Sequence, residues 1–231
     1  YNYATISKIL WNLQFLILNI IIMTFKLYFR KSSFKKDINS AKILLKEINK
    51  SKPKNFLEVG VFQGVTSRNV CEAIGLIHKK DFSYHGIDVF EDANINLNEK
   101  EKTTKHNKIS NPIKHLLYNI IFKENLNSYD SVEKLLKKFS ENVFLYKGLS
   151  ANILPKIEMS KIDFVFLDGG HSYETVKNDL LIILKNIKKQ KIIICDDYNQ
   201  KSYGVKKAVD EISQDVTAIH KLNDRLVKII A

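Results

Sequence analysis

The stretch that decides the fold runs from residue 56 to residue 67 and reads FLEVGVFQGVTS. An apolar run ends at Gly60, a short loop follows, and a helix-compatible run begins after Gly64. One glycine lets the backbone turn sharply where a strand ends, and the other lets the loop approach a ligand before a helix begins. The pattern therefore predicts a buried strand, a ligand-binding turn and a helix. Phe62 stands where a dinucleotide-binding turn has its middle glycine, so no pyrophosphate is expected.

Short apolar runs that read as strands alternate with longer runs that read as helices from here to the end of the chain. The predicted strands cover residues 55–61, 83–89, 143–147, 162–167, 191–195, 216–220 and 225–230. The predicted helices cover residues 37–50, 66–78, 173–187 and 204–212. Such alternation is typical of a parallel sheet covered by helices on both faces. We therefore predict an α/β fold with a doubly wound, mostly parallel, seven-stranded sheet and an antiparallel strand at its C-terminal edge.

Residues 91–141 separate the second predicted strand from the third, whereas ordinary connections in such folds run to roughly 2–6 residues. This stretch contains a polar tract at 94–110 and two predicted helices, at 112–125 and 131–139. We interpret it as an insertion at the carboxyl edge of the sheet. Two interpretations of it remain open, a lid or substrate-recognition element and a decoration without a role in function.

Residues 1–36 differ from the predicted domain, which covers residues 37–231. The 17 residues between Lys8 and Lys26 are uncharged, which is the lower limit for a membrane-spanning helix. Polar side chains recur along one narrow stripe of the predicted apolar helix, at Thr5, Lys8, Asn12, Asn19, Lys26 and Arg30. Such a helix can lie in a membrane interface, span the membrane against a partner, or pack on the protein's own body.

A basic run follows this apolar stretch and is typical of the cytoplasmic flank of a membrane segment. It consists of Arg30, Lys31, Lys35 and Lys36. We predict association with a membrane surface through residues 5–36, with the domain on the cytoplasmic side. The rival prediction is a helix that packs on this subunit or on a partner, and formation of a homo-oligomer is left open.

The charge of the chain argues against nucleic acid as a substrate. The sequence has 37 basic and 25 acidic residues, but residues 1–54 hold 11 of the basic and two of the acidic ones. Residues 55–231 are therefore nearly balanced, and the whole chain has only three arginines. The two cysteines, Cys71 and Cys195, fall in a predicted helix and a predicted strand, which indicates buried free thiols in a reducing cytosol.

Acidic side chains stand where three of the predicted strands end. Asp88 ends the second strand, where this fold binds ribose hydroxyls. Asp168 ends the fourth strand and is followed by His171 in a glycine loop, and Asp196 and Asp197 end the fifth. Doubly wound order brings the fourth and fifth strands side by side. Three carboxylates at one edge repel each other unless a cation or a proton intervenes, which indicates a site for a divalent cation such as Mg²⁺.

Taken together, these motifs resemble those of the class I S-adenosylmethionine-dependent methyltransferases, and among them the macrocin-type sugar O-methyltransferases. The likeness covers residues 40–231 at the level of motif order, and it rests on residues 57–60 with 64–67, on 168–174 with Asp179, and on the pair Asp196-Asp197. The resemblance implies a Rossmann-like fold, S-adenosylmethionine as cofactor, and a small-molecule, sugar or glycan hydroxyl as methyl acceptor. Residues 1–36 and 91–141 carry no part of it, so the identity of the acceptor is not implied.

The motifs and the resemblance together predict three sets of site residues. His171 and Asp168 are the predicted catalytic residues, with His171 as general base. Asp168, Asp196 and Asp197 are the predicted ligands of the divalent cation. The predicted cofactor-binding residues are Glu58, Gly60, Phe62, Gly64, Thr66, Ser67, Asp88, Gly148, Ser150 and Asp168.

Two alternatives stay open beside this hypothesis. One is a metal-independent or N-directed methyltransferase, in which the acids serve a substrate amine or only the structure. The other is a non-catalytic, membrane-tethered binding module that keeps the fold, since a fold alone does not prove chemistry. Cofactor binding separates the binding module from the enzymes, and sensitivity to a chelator separates the two kinds of enzyme.

Overall fold

The computed structural model describes residues 24–90, 125–185 and 190–231. Its strands are β1 (Asn55–Val59), β2 (Ser83–Asp88), β3 (Val143–Lys147), β4 (Phe164–Leu167), β5 (Ile192–Cys195), β6 (Ala218–Lys221) and β7 (Val227–Ile230). Its α-helices are α1 (Ile38–Ser51), α2 (Val65–His78), α3 (Tyr129–Leu136), α4 (Ser150–Ile153), α5 (Tyr173–Lys185) and α6 (Val205–Glu211). Short 3-10 turns occur at Ser33–Lys36, Lys137–Phe139, Leu154–Lys156 and Ser213–Asp215.

The seven strands form one sheet in the order β3-β2-β1-β4-β5-β7-β6. The strands from β3 to β5 are parallel to one another, so their carboxyl ends meet at one edge. The chain runs outward from β1 to β3 and then crosses back to β4. The switch in direction between β1 and β4 creates the crevice in which folds of this kind bind ligands. The predicted doubly wound, mostly parallel sheet is confirmed.

The position of the antiparallel strand differs from the prediction. β7 is antiparallel to both of its neighbours and lies between β5 and β6, so β6 forms the edge of the sheet. Only one strand of the hairpin can pair with β5, and the strand whose side chains are more deeply buried takes that inner position. Val227 and Ile229 of β7 are fully buried, whereas His220 and Lys221 at the end of β6 are exposed.

Alternate residues of the central strands feed two apolar cores, one on each face of the sheet. Phe56 and its neighbours on the same face pack against α1 and α2, and the Phe56 ring stacks on Phe164 with 5.1 Å between centroids. Leu57 and its neighbours on the other face pack against α5 and α6. Both faces are therefore covered, as the near-continuous apolar character of the strands predicts.

The end of the predicted insertion belongs to the packed body. The helix predicted at 112–125 lies almost wholly outside the described residues, and the one predicted at 131–139 is observed as α3 and the 3-10 turn that follows it. Ser128 caps α3 by accepting a hydrogen bond from the backbone N–H of Ser131. Val132 and Leu136 of α3 are buried in the core. This part of the insertion therefore serves the fold itself.

A helix was predicted within residues 1–36, and residues 1–23 of that range lie outside the described residues. Residues 24–36, here called the N-terminal strap, are not α-helical: residues 24–32 contain only a turn, and a 3-10 turn follows. The reason is that the backbone of the strap forms hydrogen bonds with side chains of the domain instead of the internal hydrogen bonds of an α-helix. The side chain of Asn69 donates a hydrogen bond to the carbonyl of Lys26 and accepts one from its N–H, both at 2.8 Å. Among the helices described, none has the length and apolar character that a membrane span requires.

Candidate active site

Residues 60–64 form the loop that joins β1 to α2, here called the glycine loop. Gly60 has a φ of +95°, and a Cβ on it would lie 2.1 Å from the carbonyl oxygen of Asp168. Only glycine fits there, because the end of β4 passes directly beside the loop. Phe62 has a φ of +52° and is 37% exposed, and Gly64 has a φ of +72° at the N-cap of α2. The glycine loop thus brings the N-terminus of α2 to the carboxyl edge of the sheet, where its free N–H groups favour anionic ligand groups.

Glu58 lies beneath the glycine loop and is fully buried. Its Oε2 accepts hydrogen bonds from the hydroxyl of Ser67 on α2, at 2.9 Å, and from the hydroxyl of Tyr84 on β2. Burial raises the pKa of Glu58 to about 8, although these two hydrogen bonds act in the opposite direction. Glu58 therefore holds a proton at neutral pH and ties β1, β2 and α2 together. Its side chain, like those of Ser67 and Thr66, lies behind the loop and not at the open edge of the sheet.

Asp88 lies at the end of β2, beside the glycine loop. Its Oδ2 accepts a hydrogen bond from the N–H of Phe62 and its Oδ1 one from the N–H of Phe90, both at 2.8 Å. Burial raises the pKa of Asp88. The N–H of Gly148 donates to the carbonyl of Asp88 at 2.9 Å, and α4 begins two residues later at Ser150. The structure thus brings the glycine loop, Asp88 and the turn after β3 together along one edge of the sheet, and their role in binding the cofactor stays a prediction.

The three acids predicted to converge do converge. One side-chain oxygen each from Asp168, Asp196 and Asp197 lies within 4.8 Å of the others. Burial, together with the charge of Asp196, holds the pKa of Asp168 well above its usual range. Burial raises the pKa of Asp197 as well. The repulsion expected among these carboxylates is therefore present in the folded chain.

Arg225 supplies a positive charge to this acid cluster, and the sequence reasoning missed it. Its guanidinium binds Asp196 through both nitrogens that face it, Nε to Oδ1 and Nη2 to Oδ2, each at 2.5 Å. Its Nε also lies 3.8 Å from Oδ1 of Asp197. The backbone carbonyl of Arg225 accepts a hydrogen bond from the N–H of Tyr198, which continues the pairing of β5 with β7. In the sequence, Arg225 is only the first residue of a predicted strand. A prediction that this strand pairs with β5 would have placed Arg225 beside the acids that end β5.

The N-terminal strap covers the acid cluster. The hydroxyl of Ser33 donates a hydrogen bond to Oδ2 of Asp168 at 2.9 Å, and the carbonyl of Ser33 accepts one from Nη1 of Arg225 at 2.9 Å. The centre of the Phe34 ring lies 4.5 Å from the Arg225 guanidinium carbon, and the same ring stacks on Phe166. The strap thus contributes a hydroxyl, a carbonyl and an aromatic face to the site.

His171 lies at the border of the same cluster. Its Nδ1 is 3.7 Å from Oδ2 of Asp197, and its ring stacks on Tyr203 with 4.3 Å between centroids. The carbonyl of His171 accepts a hydrogen bond from the N–H of Gly204, the N-cap residue of α6, at 2.8 Å. No side chain caps α6. Ser172 caps α5 by accepting a hydrogen bond from the N–H of Thr175.

The donor set of the acid cluster fits a hard divalent cation, since it consists of carboxylate oxygens at spacings that one ion can bridge. The three acids are not equivalent toward such an ion. Both oxygens of Asp196 already accept hydrogen bonds from Arg225, and Asp196 is 2% exposed. Asp168 and Asp197 are therefore the residues that would hold a cation at this edge of the sheet.

A family model described as a methyltransferase domain matches residues 57–198. The chain belongs to this methyltransferase family. The matched residues run from β1 to the residue after Asp197, so they include the glycine loop, Asp88 and the acid cluster. The resemblance read from the sequence is thereby confirmed at the level of family.

Three solved methyltransferase structures share the fold. The O-methyltransferase TomG from Streptomyces achromogenes, in complex with SAM, superimposes with a TM-score of 0.55 at 13% identity over 84% of this chain and 79% of its own. An O-methyltransferase from Bacillus cereus in complex with SAH gives 0.56 at 13% identity, over 100% and 92%. A calicheamicin methyltransferase gives 0.57 at 16% identity, over 86% and 80%.

One relative in sequence is an uncharacterised protein of Acanthamoeba polyphaga mimivirus. It is 28% identical over 145 residues, which are 61% of this chain and 63% of that protein. The chain therefore spans less than two thirds of this relative's length.

Proposed function

We propose that this protein is an S-adenosylmethionine-dependent O-methyltransferase that methylates a hydroxyl group of a small molecule or glycan. The observation that carries the proposal is the placement of the glycine loop, Asp88 and the acid cluster along one edge of a methyltransferase-family sheet. The structures of TomG with SAM and of the Bacillus cereus enzyme with SAH support the choice of cofactor.

In this proposal the cofactor lies across the ends of β1, β2 and β3. The backbone of the glycine loop meets the methionine part, and Asp88 accepts hydrogen bonds from the ribose hydroxyls. Backbone N–H groups, among them those of Phe62 and Phe90, hold both oxygens of Asp88 in place at this edge of the sheet, where a carboxylate can accept from a hydroxyl. The turn at 148–150 adjoins Asp88 through the Gly148 hydrogen bond, which supports a position near the adenine. Glu58 supports the loop from below through Ser67.

His171 and Asp197 carry the proton chemistry in this proposal. Methyl transfer from a sulfonium is an in-line displacement, so the acceptor oxygen has to lose its proton and be aligned with the methyl group. His171 takes that proton as general base, and the Asp197 carboxylate stabilises the resulting imidazolium from 3.7 Å. Stacking on Tyr203 fixes the plane of the imidazole. Arg225 fixes Asp196 and limits the charge of the cluster.

A divalent cation such as Mg²⁺, held by Asp168 and Asp197, would supply Lewis-acid stabilisation of the acceptor oxygen and would relieve the repulsion between the acids. Arg225 favours a second version of the proposal, in which the reaction needs no metal, because its guanidinium already offsets part of the same charge. The two versions differ in one outcome, since excess EDTA removes activity in the first and leaves it in the second.

Membrane association through residues 5–36 remains a proposal. One residue of this range, Arg30, cannot contribute to it. Arg30 of the basic run is buried and bonds to the carbonyls of Gln63 and Leu126, so its charge is not available to lipid. The proposal therefore rests on the apolar residues before position 24 together with the exposed Lys35 and Lys36. Flotation of the full chain with anionic liposomes tests it, and a chain that stays at the bottom of the gradient contradicts it.

The enzyme proposal is tested by incubating the protein with radiolabelled S-adenosylmethionine and a small-molecule and glycan extract, with and without EDTA. We expect label in an extract component, and we expect Asp168→Asn and His171→Ala to lose most of the turnover while they still bind the cofactor. Glu133→Gln, which changes an exposed acid of α3, is the matched control. Incorporation that His171→Ala leaves unchanged would remove His171 as the base, and no incorporation by any preparation that binds the cofactor would favour the binding module.

A further inference from the structure

A groove of about 530 Å³ adjoins the acid cluster. The loop after β5 and the outer face of α6 form it, and its lining includes Tyr198, Lys201, Tyr203 and Lys207. Tyr198 follows Asp197 directly in the chain, and Tyr203 stacks on His171. The groove therefore begins where the proposed chemistry takes place, and its volume lies within the range of about 300–1,000 Å³ that small-molecule sites occupy.

The two acids that line the groove already have partners. Asp210 binds the ammonium of Lys206 and accepts a hydrogen bond from the hydroxyl of Tyr198 at 2.8 Å. Glu211 binds Lys177 at 2.8 Å and accepts a hydrogen bond from the hydroxyl of Tyr173 at 2.6 Å. Each of these carboxylates therefore already has a lysine partner other than Lys201 and Lys207. The hydrogen bond from Lys177 lowers the pKa of Glu211 most, and the charge of Lys207 lowers it further.

Lys201 and Lys207 are the positive groups of the groove whose ammonium groups do not bind a carboxylate directly. Neither forms an ion pair with a carboxylate in the described part of the chain. The Lys207 ammonium lies 4.2 Å from the centre of the Tyr173 ring, a cation–π contact that fixes the position of this charge beside the groove that Lys207 lines. The groove thus has a positive potential beside partly buried tyrosine rings, which suits a ligand with an anionic group and a ring or sugar next to it.

We infer that this groove binds the methyl acceptor through an anionic group, a phosphate or a carboxylate, which Lys201 and Lys207 hold while the acceptor hydroxyl reaches His171. The inference rests on the proposed function and names the class of its substrate: an anionic hydroxyl compound and not a neutral sugar. Lysines bind such groups as point charges, so the pair selects for charge and tolerates differences in the shape of the anion. Tyr203 positions the remainder of the acceptor, because one ring both lines the groove and fixes His171.

Calorimetric titration at low ionic strength tests the inference, with inorganic pyrophosphate and succinate as probes. Lys201→Ala/Lys207→Ala removes both free charges, and Lys42→Ala/Lys46→Ala removes two exposed lysines of α1 as the matched control for net charge. We expect the groove variant to bind the better of the two probes at least about tenfold more weakly than the wild type, with no change in the control. The probe that binds more tightly identifies the anion as phosphate-like or carboxylate-like.

Equal weakening in both variants, an unchanged groove variant, or no binding of either probe to the wild type would overturn the inference. S-adenosylmethionine binding is measured on the same preparations. If the preparations bind the cofactor, and the groove and control variants bind the anionic probes equally well, the acceptor groove is contradicted and the proposed function is not. A protein that shows the expected anion binding without cofactor binding contradicts the proposed function and keeps the groove as an anion site.

Discussion

Glu58 makes the stability of the domain depend on pH. Its pKa is about 8 in the folded chain, against an ordinary value of 4.5, so between these values the folded state holds a proton that the unfolded chain has released. The contribution of this protonated group is fully present below the lower value and is lost as the pH rises through the upper one. Glu58→Gln keeps a neutral acceptor for Ser67 and Tyr84 and does not titrate.

We therefore expect the wild type to lose roughly 3–5 kcal/mol more of its free energy of unfolding than Glu58→Gln between about pH 5 and about pH 9. Urea unfolding at a series of pH values measures the difference. Glu133→Gln, which changes an exposed acid of α3, is the matched control and should follow the wild type. Parallel curves for the wild type and Glu58→Gln would mean that Glu58 is ionised in the fold.

Arg225 holds the acid cluster together by binding Asp196 with two hydrogen bonds. Arg225→Gln leaves that carboxylate buried beside Asp168 without a cation. Removing one partner of such a buried pair costs about 3–5 kcal/mol, whereas an exposed pair is worth about 0–1 kcal/mol. We expect a loss near the first range for Arg225→Gln and near the second for Lys161→Gln, which breaks the exposed pair with Glu158. Similar free energies of unfolding for the two variants would contradict the role of Arg225.

The N-terminal strap is the element that connects most parts of the site. Arg30 donates hydrogen bonds to the carbonyl of Gln63 in the glycine loop, to the carbonyl of Leu126, and to both the carbonyl and the hydroxyl of Ser131 on α3. A single buried side chain thus joins the strap, the glycine loop and the end of the insertion. Loss of that side chain would leave three buried carbonyls with fewer donors, and each such loss is unfavourable.

Arg30→Ala should therefore lower the free energy of unfolding by about 2–4 kcal/mol and should increase amide hydrogen exchange in the glycine loop. Lys35→Ala, which removes an exposed basic residue from the same strap, is the control and should leave both quantities nearly unchanged. Unfolding in urea and hydrogen exchange read by mass spectrometry are the measurements. Unaltered exchange at residues 60–64 in Arg30→Ala would show that the strap does not support the loop.

The elements that local patterns determine were predictable from the sequence. Short apolar runs placed the strands, although β1 ends at Val59 and not at residue 61, since Gly60 turns the chain with a positive φ. The convergence of Asp168 with Asp196 and Asp197 followed from parallel strand order alone. The contacts of Arg225 and of the strap were not predictable, because they depend on pairing between residues far apart in the chain, which no local pattern records.

At the scale of the whole molecule, the features attributed to function lie at one edge of one sheet. The glycine loop and Asp88 occupy the side of β1 and β2, while the acid cluster, His171 and the acceptor groove occupy the side of β4 and β5. The strap lies against both sides, through Arg30 at the loop and Ser33 at Asp168. This arrangement places a cofactor and an acceptor side by side, which is what a group transfer between them requires.

Binding of S-adenosylmethionine at the Asp88 end of this edge is the central claim, and isothermal titration calorimetry tests it most directly. The wild type and Asp81→Ala, which removes an exposed carboxylate at the opposite end of β2, should bind the cofactor alike. Asp88→Ala should bind it about 1–3 kcal/mol more weakly, the scale of a lost charge-assisted hydrogen bond, while circular dichroism shows that it is folded. Equal affinity of the folded Asp88→Ala variant, or no binding by the wild type, would contradict the account.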